Sequence, residues 1–326
     1  MPAVIEITCW HWVGFIACVL IFLALDLGLF HRHAHTVTFK EALVWSVVWF
    51  SLAMLFASAL KPLRGKQETL QFVTGYLIEL SLSMDNLFVI ALVFAYFRIP
   101  REHQHRVLYW GILGALIMRG LMIGLSLALI ALLDWVLYLF GAFLLYSGFR
   151  MLFVHTEVHP ENNRVVQWAR KLYPVTPDLH GQRFVTRWEG RKALTPLALV
   201  LLMVETTDLL FAVDSIPAVF AVTRKPFIVF TSNVFAILGL RSLYFLLAGA
   251  IGYFRSLKYA LPIVLVFMGV EMLLDPHDRP PRGIQVEIPT SVSLLVVAGI
   301  LLTSIVLSLT AAWREKGHTA KTPPPR

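Results

Sequence analysis

Charged residues are scarce in this sequence. Asp, Glu, Lys and Arg make up only 15% of its 326 residues, whereas about a quarter of the residues are charged in an ordinary soluble domain. Hydrophobic residues reach 58%, and the mean hydropathy is +0.72. This balance excludes a soluble globular protein and indicates a membrane protein, for which lipid replaces water over most of the surface.

Cysteines and enzyme motifs are also scarce. Cys9 and Cys18 are the only cysteines, both lie in or beside the first apolar run, and their spacing is not that of metal ligands. We find no nucleophile–base arrangement, dinucleotide fingerprint or ATP-binding motif, so neither an enzyme nor a primary pump is indicated and no prosthetic group is expected. The net charge of +8 comes from residues between apolar runs, which favours contact with a membrane surface over binding of nucleic acid.

Nine apolar runs are long enough to cross a membrane, because a span needs about 20 mostly apolar residues. The first lacks the basic flank of a cleavable signal peptide and is predicted to be a retained helix. The spans are predicted at 10–30, 42–60, 70–95, 107–132, 134–153, 194–222, 227–250, 257–274 and 290–312. The polar segment 155–193 is predicted to be a cytoplasmic loop, and 314–326 a disordered cytoplasmic tail.

The loops between these spans differ in their content of Lys and Arg. Alternate loops lie on the same side, and one side collects 19 of these residues against 7 on the other. Since basic residues accumulate on the cytoplasmic side, the sequence predicts a periplasmic N-terminus and a cytoplasmic C-terminus, in a bacterial inner membrane.

An internal repeat links the two halves of the chain. Three segments of the first half match three of the second in the same order: Glu79–Asn86 with Asp208–Ser215, Ile117–Arg119 with Gly239–Arg241, and Ser147–Leu152 with Met268–Leu273. Each unit holds three spans, so the second unit would enter the membrane from the opposite side, as in many secondary transporters.

The fold class predicted is therefore an all-α membrane protein of about nine transmembrane helices with an inverted three-plus-three repeat. The expected regions are accessory helices at 1–62, the first repeat at 63–154, the loop at 155–193, the second repeat at 194–276, and a loop with the last span at 277–313.

Ionisable residues inside the spans are unusually numerous, although each costs about 2.5–3.5 kcal/mol to insert. They are Asp26, Glu79, Asp85, Arg119, Glu205, Asp208, Asp214 and Arg241, with Glu271 near the end of its span. Five acids fall on spans three and six, the corresponding first helices of the two repeats. Arg119, Arg241 and Asp26 are predicted to form structural ion pairs, and two such pairs would still leave at least three acids.

The acids, with neighbouring amide and hydroxyl oxygens, favour a hard or borderline divalent cation such as Mn²⁺, Mg²⁺ or Ca²⁺. The absence of Cys and His from both helices argues against copper or zinc. The candidate metal ligands are Glu79, Asp85, Asn86, Glu205, Asp208, Asp214 and Ser215. The alternative is that the acids are purely structural and are neutralised by the two arginines.

The spacing of the acids restricts how they can bind one ion. Residues i and i+6 of a straight helix lie about 9 Å apart along the axis and about 240° apart around it, so Glu79 and Asp85 cannot both reach one ion. Either the helix is broken, which Pro217 favours in span six, or each acid works with the other repeat. We expect Asp85 and Asp214 to face each other near the pseudo-two-fold axis, with Asn86 and Ser215 beside them and Glu79 and Asp208 lining the approach.

Three segments resemble the TerC family of membrane proteins, most closely its Alx-type branch of manganese exporters: Gly75–Asn86, Glu205–Thr223 and Thr231–Arg241. The resemblance implies nine spans, an inverted core and export of Mn²⁺ across the bacterial inner membrane. It also implies that Glu79, Asp85, Asp208 and Asp214 bind the ion, with Asn86 and Glu205 in support.

The expected function is a secondary transporter that exports Mn²⁺ in exchange for protons, because a carboxylate binds either ion. The expected partners are Mn²⁺, protons and the lipid bilayer. Two alternatives stay open: a carrier of another cationic solute, either a different divalent metal or a basic amino acid, and a non-transporting scaffold in the response to metal or tellurite stress.

The site assignment predicts that Asp85→Asn or Asp214→Asn abolishes resistance to excess Mn²⁺, because each change removes a charged ligand. Growth in Mn²⁺ measures resistance, and immunoblots of isolated membranes measure whether the variants still reach the membrane. Normal Mn²⁺ export by these variants would refute the role given to both residues.

Overall fold

The computed structural model describes residues 7–28, 38–133, 135–153, 163–188, 190–249, 257–275, 285–286 and 288–319. Its elements are α1 (Cys9–Gly28), α2 (Phe39–Arg64), α3 (Lys66–Tyr96), α4 (Arg101–Leu132), α5 (Val136–Phe153), α6 (Arg164–Leu172), β1 (Val185–Trp188), β2 (Arg191–Leu194), α7 (Pro196–Val222), α8 (Pro226–Leu238), α9 (Leu240–Gly249), α10 (Leu257–Leu274) and α11 (Thr290–Thr319). The chain is mostly helical, as its sequence predicts.

The nine predicted spans coincide with helices, but their number is not confirmed. Six described helices are long and apolar enough to cross a membrane, or seven if α8 and α9 form one bent span. Helices α1 and α10 are apolar, but their qualifying stretches, Cys9–Ala24 and Tyr259–Leu274, are shorter.

A break at Pro217 in span six, one of the two alternatives for the acids, is not present. Helix α7 continues through this proline to Val222. A proline removes a single backbone hydrogen bond, and Pro217 lies within a run of buried residues that pack around it. The break occurs instead in span seven, where α8 and α9 meet at Gly239 with a bend of 41°.

Segment 155–193 contains more structure than the predicted loop, which adds a small sheet to the all-α expectation. Helix α6 is followed by an antiparallel hairpin that pairs Val185 with Leu194 and Trp188 with Arg191. The Thr195 hydroxyl donates to the carbonyl oxygen of Arg183 at 2.7 Å, at the junction of hairpin and α7. The predicted disordered tail is wrong at its start, because α11 runs to Thr319, and residues 320–326 lie outside the described part.

Helix α3 lies at the centre of the bundle, where it contacts α2, α7, α8 and α11. An aromatic cluster fixes it beside α1, α2 and α8. The ring of Phe56 lies 5.1 Å from that of Phe72 and 4.9 Å from that of Phe235, and Phe15 packs against both Phe56 and Phe235. Such offset and edge contacts stabilise ring pairs beyond their burial alone.

The two halves of the chain meet mainly through four helix pairs: α3 with α7, α3 with α8, α4 with α7, and α5 with α10. The α5–α10 pair is very close at its glycines. A Cβ atom on Gly269 would lie 2.9 Å from the Gly141 carbonyl oxygen and 2.9 Å from the Leu145 nitrogen. Small residues allow this backbone approach between membrane helices.

Gly269→Ala should therefore destabilise the protein by about 1–3 kcal/mol, the range found for overpacked interiors, because the added methyl meets backbone atoms. Thermal unfolding in detergent measures the effect as a lower midpoint temperature. Gly299→Ala on α11 is the matched control, since a Cβ there has nothing within 4 Å. Equal midpoints for the two variants would contradict the close approach.

Candidate functional site

A cluster of polar side chains lies in the middle of the bundle. Glu79 and Asn86 come from α3 and share one face, because residues seven apart differ by only about 20° around a helix. Arg119 of α4, Asp208 of α7 and Asn233 of α8 complete the cluster, and all five residues are buried, with exposures between 0% and 4%.

The guanidinium of Arg119 joins these helices. Its Nη1 contacts Glu79 Oε1 and donates to Asn233 Oδ1 at 3.0 Å. Its Nη2 donates to Asp208 Oδ1 at 3.1 Å and its Nε to Asp208 Oδ2 at 3.5 Å. Two-pronged pairing of arginine with a carboxylate is strong and directional, so Arg119 holds α3, α7 and α8 in register with α4.

The cluster holds more acceptors than donors. Asn86 Nδ2 donates to Asp208 Oδ1 at 2.9 Å, and the Ser83 hydroxyl lies 3.4 Å from Glu79 Oε1. Glu79 Oε2 and Asn86 Oδ1 are buried, and no donor among the described residues reaches them. Buried acceptors are rarely left unsatisfied, so these two oxygens are available to accept a further hydrogen bond or to coordinate a cation.

The acids are not arranged as a preformed metal centre. In the described parts of the chain, no three His, Cys, Asp or Glu side chains are grouped so that they could hold a metal ion. The guanidinium of Arg119 contacts both Glu79 and Asp208. It therefore occupies the space between the two carboxylates.

Asp85 and Asp214 lie apart from this cluster, in half-buried positions. The carboxylate of Asp214 accepts a hydrogen bond from the Ser147 hydroxyl of α5 at 2.8 Å. No hydrogen bond joins Asp85 to any other described residue, including Asp214. The facing of these two acids therefore stays a prediction.

The other predicted site residues are distributed around the cluster. Glu205 is half-buried, and its carboxyl group packs against Gly114 of α4, where a Cβ atom would overlap it. The Ser215 hydroxyl is buried without a partner in the described residues. Arg241 is buried and lines a cavity together with Asn86 and Asp208. The side chain of Asp26 lies outside the described residues.

A cavity lies beside the cluster, between α3, α4, α7 and α9. Its polar lining is Asn86, Asp208 and Arg241, and its apolar lining is Leu87, Ile90, Leu108, Gly111, Ile112, Ala115, Val204 and Leu240. The lining residues on α3 and α4 belong to the C-terminal half of α3 and the N-terminal half of α4. The cavity therefore extends from the cluster toward the α3–α4 turn.

The opposite side of the cluster is closed. A Cβ on Gly75 would lie 3.0 Å from Ser232 Oγ, which places α3 directly against α8. Beyond it, the Thr223 hydroxyl donates to Gln71 Oε1 at 3.0 Å, and Lys225 Nζ lies 2.6 Å from Glu68 Oε1. Among the described residues, this side of the cluster is therefore closely packed.

Asn233 and Ser147 are the polar contacts that sequence reasoning missed. Asn233 follows Thr231 and Ser232 inside an otherwise apolar span, so the energetic cost that singled out the charged residues could have identified it too. A serine in a helix is common, and no signal in the sequence links Ser147 to Asp214. Glu271 finds its partner in the Ser293 hydroxyl of α11.

A helical bundle with apolar outer faces and a charged cluster in its core is an integral membrane protein. The TerC family of integral membrane proteins matches residues 64–316. This chain belongs to that family.

Several relatives are similar over nearly their whole length. A Myxococcus xanthus protein, named an uncharacterized membrane protein, is 51% identical over 91% of each chain. An Escherichia coli K12 protein, named "Putative membrane-bound redox modulator Alx", is 45% identical over 94% of this chain and 95% of its own. A Rickettsia felis membrane protein is 37% identical over 91% and 97%. No solved structure matches.

Asp208→Ala should lower the free energy of unfolding by about 3–5 kcal/mol, because it leaves buried Arg119 with one counter-charge fewer. Asp214→Ala is the matched control: it removes one hydrogen bond at a half-buried position and should cost about 1 kcal/mol. Chemical or thermal unfolding in detergent compares the two, and a larger loss for Asp214→Ala would argue against the central place of the Arg119 bridge.

Proposed function

We propose that this protein is a secondary transporter that exports Mn²⁺ across the inner membrane by alternating access, in exchange for protons. The observation that carries the proposal is the surplus of buried oxygen acceptors around Glu79 and Asp208. Intramembrane carboxylates are costly and usually mark ion pathways, and this oxygen-only set matches the ligands that Mn²⁺ accepts.

The helix contacts support an inverted three-plus-three repeat within nine spans. If α3, α4 and α5 correspond to α7, α8–α9 and α10, a pseudo-two-fold axis exchanges the α3–α8 contact with the α7–α4 contact. The same axis maps the α5–α10 contact onto itself. Substrate sites of such carriers lie at the interface of the repeats near mid-membrane, where Glu79 and Asp208 meet through Arg119.

The position of the cavity gives the proposed direction of loading. With the N-terminus in the periplasm and the C-terminus in the cytoplasm, the α3–α4 turn lies on the cytoplasmic side. The cavity would then admit a cytoplasmic ion to Asn86 and Asp208, while the contacts of Gly75, Gln71 and Glu68 close the periplasmic side. A carrier with this arrangement would take up its ion from the cytoplasm, as the loading step of an exporter requires.

The proposed coupling to protons follows from the charge surplus. The five acids of α3 and α7 that lie inside the predicted spans outnumber the two buried arginines, Arg119 and Arg241. A carboxylate binds a metal ion or a proton but not both, so competition at one site links the two fluxes in opposite directions.

A carrier of another cationic solute is the alternative that the same cluster supports. A basic amino acid would also pair with Glu79 and Asp208, but it would need room for its side chain in the narrow space beside Asn86. Competition between Mn²⁺ and lysine in a flux assay separates the two substrates.

Glu79→Gln and Asp208→Asn should each reduce Mn²⁺ flux at least about tenfold, because loss of one charged ligand costs roughly 1.4 kcal/mol or more of binding. Proteoliposomes with an imposed pH gradient and radioactive Mn²⁺ measure the flux. Glu102→Gln, at an exposed position in the first turn of α4, is the control and should transport normally. Wild-type vesicles that show no Mn²⁺ flux would refute the proposed function.

A further inference from the structure

We propose that Arg119 is a tethered counter-cation: its guanidinium takes the place of the transported divalent ion in the unloaded carrier and leaves it when the ion binds. This inference rests on the proposed function, and it gives Arg119 a part in the transport cycle beyond that of a structural ion pair.

The first support is the set of atoms that the guanidinium contacts. They are four oxygens from three helices: Oε1 of Glu79, both carboxylate oxygens of Asp208 and Oδ1 of Asn233. Carboxylate and amide oxygens gathered from several helices are also what a hard divalent cation requires. Arg119 thus occupies the point of convergence that an ion at Glu79 and Asp208 would need.

The second support is what the guanidinium fails to satisfy. It leaves Oε2 of Glu79 and the nearby Oδ1 of Asn86 without a donor among the described residues. An arginine has donors only in one plane and in a fixed fork, whereas a metal ion accepts ligands all around itself. The same cluster would therefore be more fully satisfied by a divalent ion than by Arg119.

The third support is charge. Glu79 and Asp208 together carry two negative charges. One divalent ion neutralises both charges, whereas one arginine neutralises only one of them. With no metal ion, arginine or proton present, two carboxylates would be buried without a counter-charge, with side-chain exposures of 0% and 6%. Burying unpaired charges is expensive, so a carrier without Arg119 would have to take up two protons before it returned without metal, whereas one proton suffices beside Arg119. At neutral pH its return would therefore be slow, even though its loaded form could still cross.

The cavity supplies a route for the exchange of cations. It reaches Asp208 and Asn86 from one side, while Arg119 approaches Asp208 from α4. An entering ion can therefore meet Asp208 before the guanidinium has left it, and displacement does not require the acids to become bare at any stage.

The test separates net efflux from exchange. Full-length Arg119→Gln protein in proteoliposomes should bind Mn²⁺ about tenfold tighter than wild type, because a competing cation is gone. Exchange of radioactive for unlabelled Mn²⁺ should stay near the wild-type rate, since exchange never requires an empty carrier to return. Net Mn²⁺ efflux should fall about tenfold or more. Arg191→Gln, in the exposed hairpin, is the control for loss of an arginine.

A purely structural Arg119 predicts a different pattern: binding, exchange and net efflux would decline together in Arg119→Gln, and that result would overturn the proposal. If Arg119→Gln does not fold, the comparison of Glu79→Gln with Glu79→Gln/Arg119→Gln decides. The double variant removes one acid together with the arginine, and it should bind Mn²⁺ more tightly than Glu79→Gln alone. Equal or weaker binding would contradict the counter-cation role.

Failure of the proposed function looks different from failure of this inference. A wild-type protein that neither binds nor exchanges Mn²⁺ refutes both. A wild type that transports Mn²⁺, with an Arg119→Gln variant that keeps normal net efflux, refutes the counter-cation alone.

Discussion

The contact of Arg119 with Glu79 and Asp208 is the interaction on which the centre of this protein depends. All three side chains are almost fully buried in a bundle whose outer faces are apolar. A charge in such a place requires an opposite charge within reach, and each of these groups obtains it only if α3, α4 and α7 keep their relative positions. The hydrogen bond to Asn233 extends the same requirement to α8.

The corresponding acids of the two predicted repeats have different surroundings. Glu79 and Asp208 share one arginine. Asp214 accepts a hydrogen bond from Ser147 of α5, whereas Asp85 has no hydrogen-bonding partner among the described residues. These differences follow from the helix period, because residues six apart face different neighbours. Repetition of a sequence motif therefore gives two similar scaffolds without giving two equal sites.

Packing around the cluster is of two kinds. Helices α5 and α10 approach so closely at their glycines that their backbones are in contact. This packing leaves little room for the two helices to move relative to each other. Around Asn86 and Asp208, by contrast, side chains leave a cavity on one side, while small and polar contacts at Gly75, Gln71 and Glu68 close the other. The family relationship extends over almost this entire region, from residue 64 to residue 316.

Hydropathy in the sequence determined that the chain is a membrane protein and where its helices lie, because each run of apolar residues reports directly on burial in lipid or protein. The cost of intramembrane charge likewise singled out Glu79, Asp208 and Arg119. Only the tertiary structure decided which of them meet. It placed Arg119 between two acids, left Asp85 and Asp214 outside, added Asn233, and located the break at Gly239 instead of Pro217. Which side chains meet depends on how the helices rotate and cross. Residues distant in sequence set that geometry together, so no local sequence pattern encodes it.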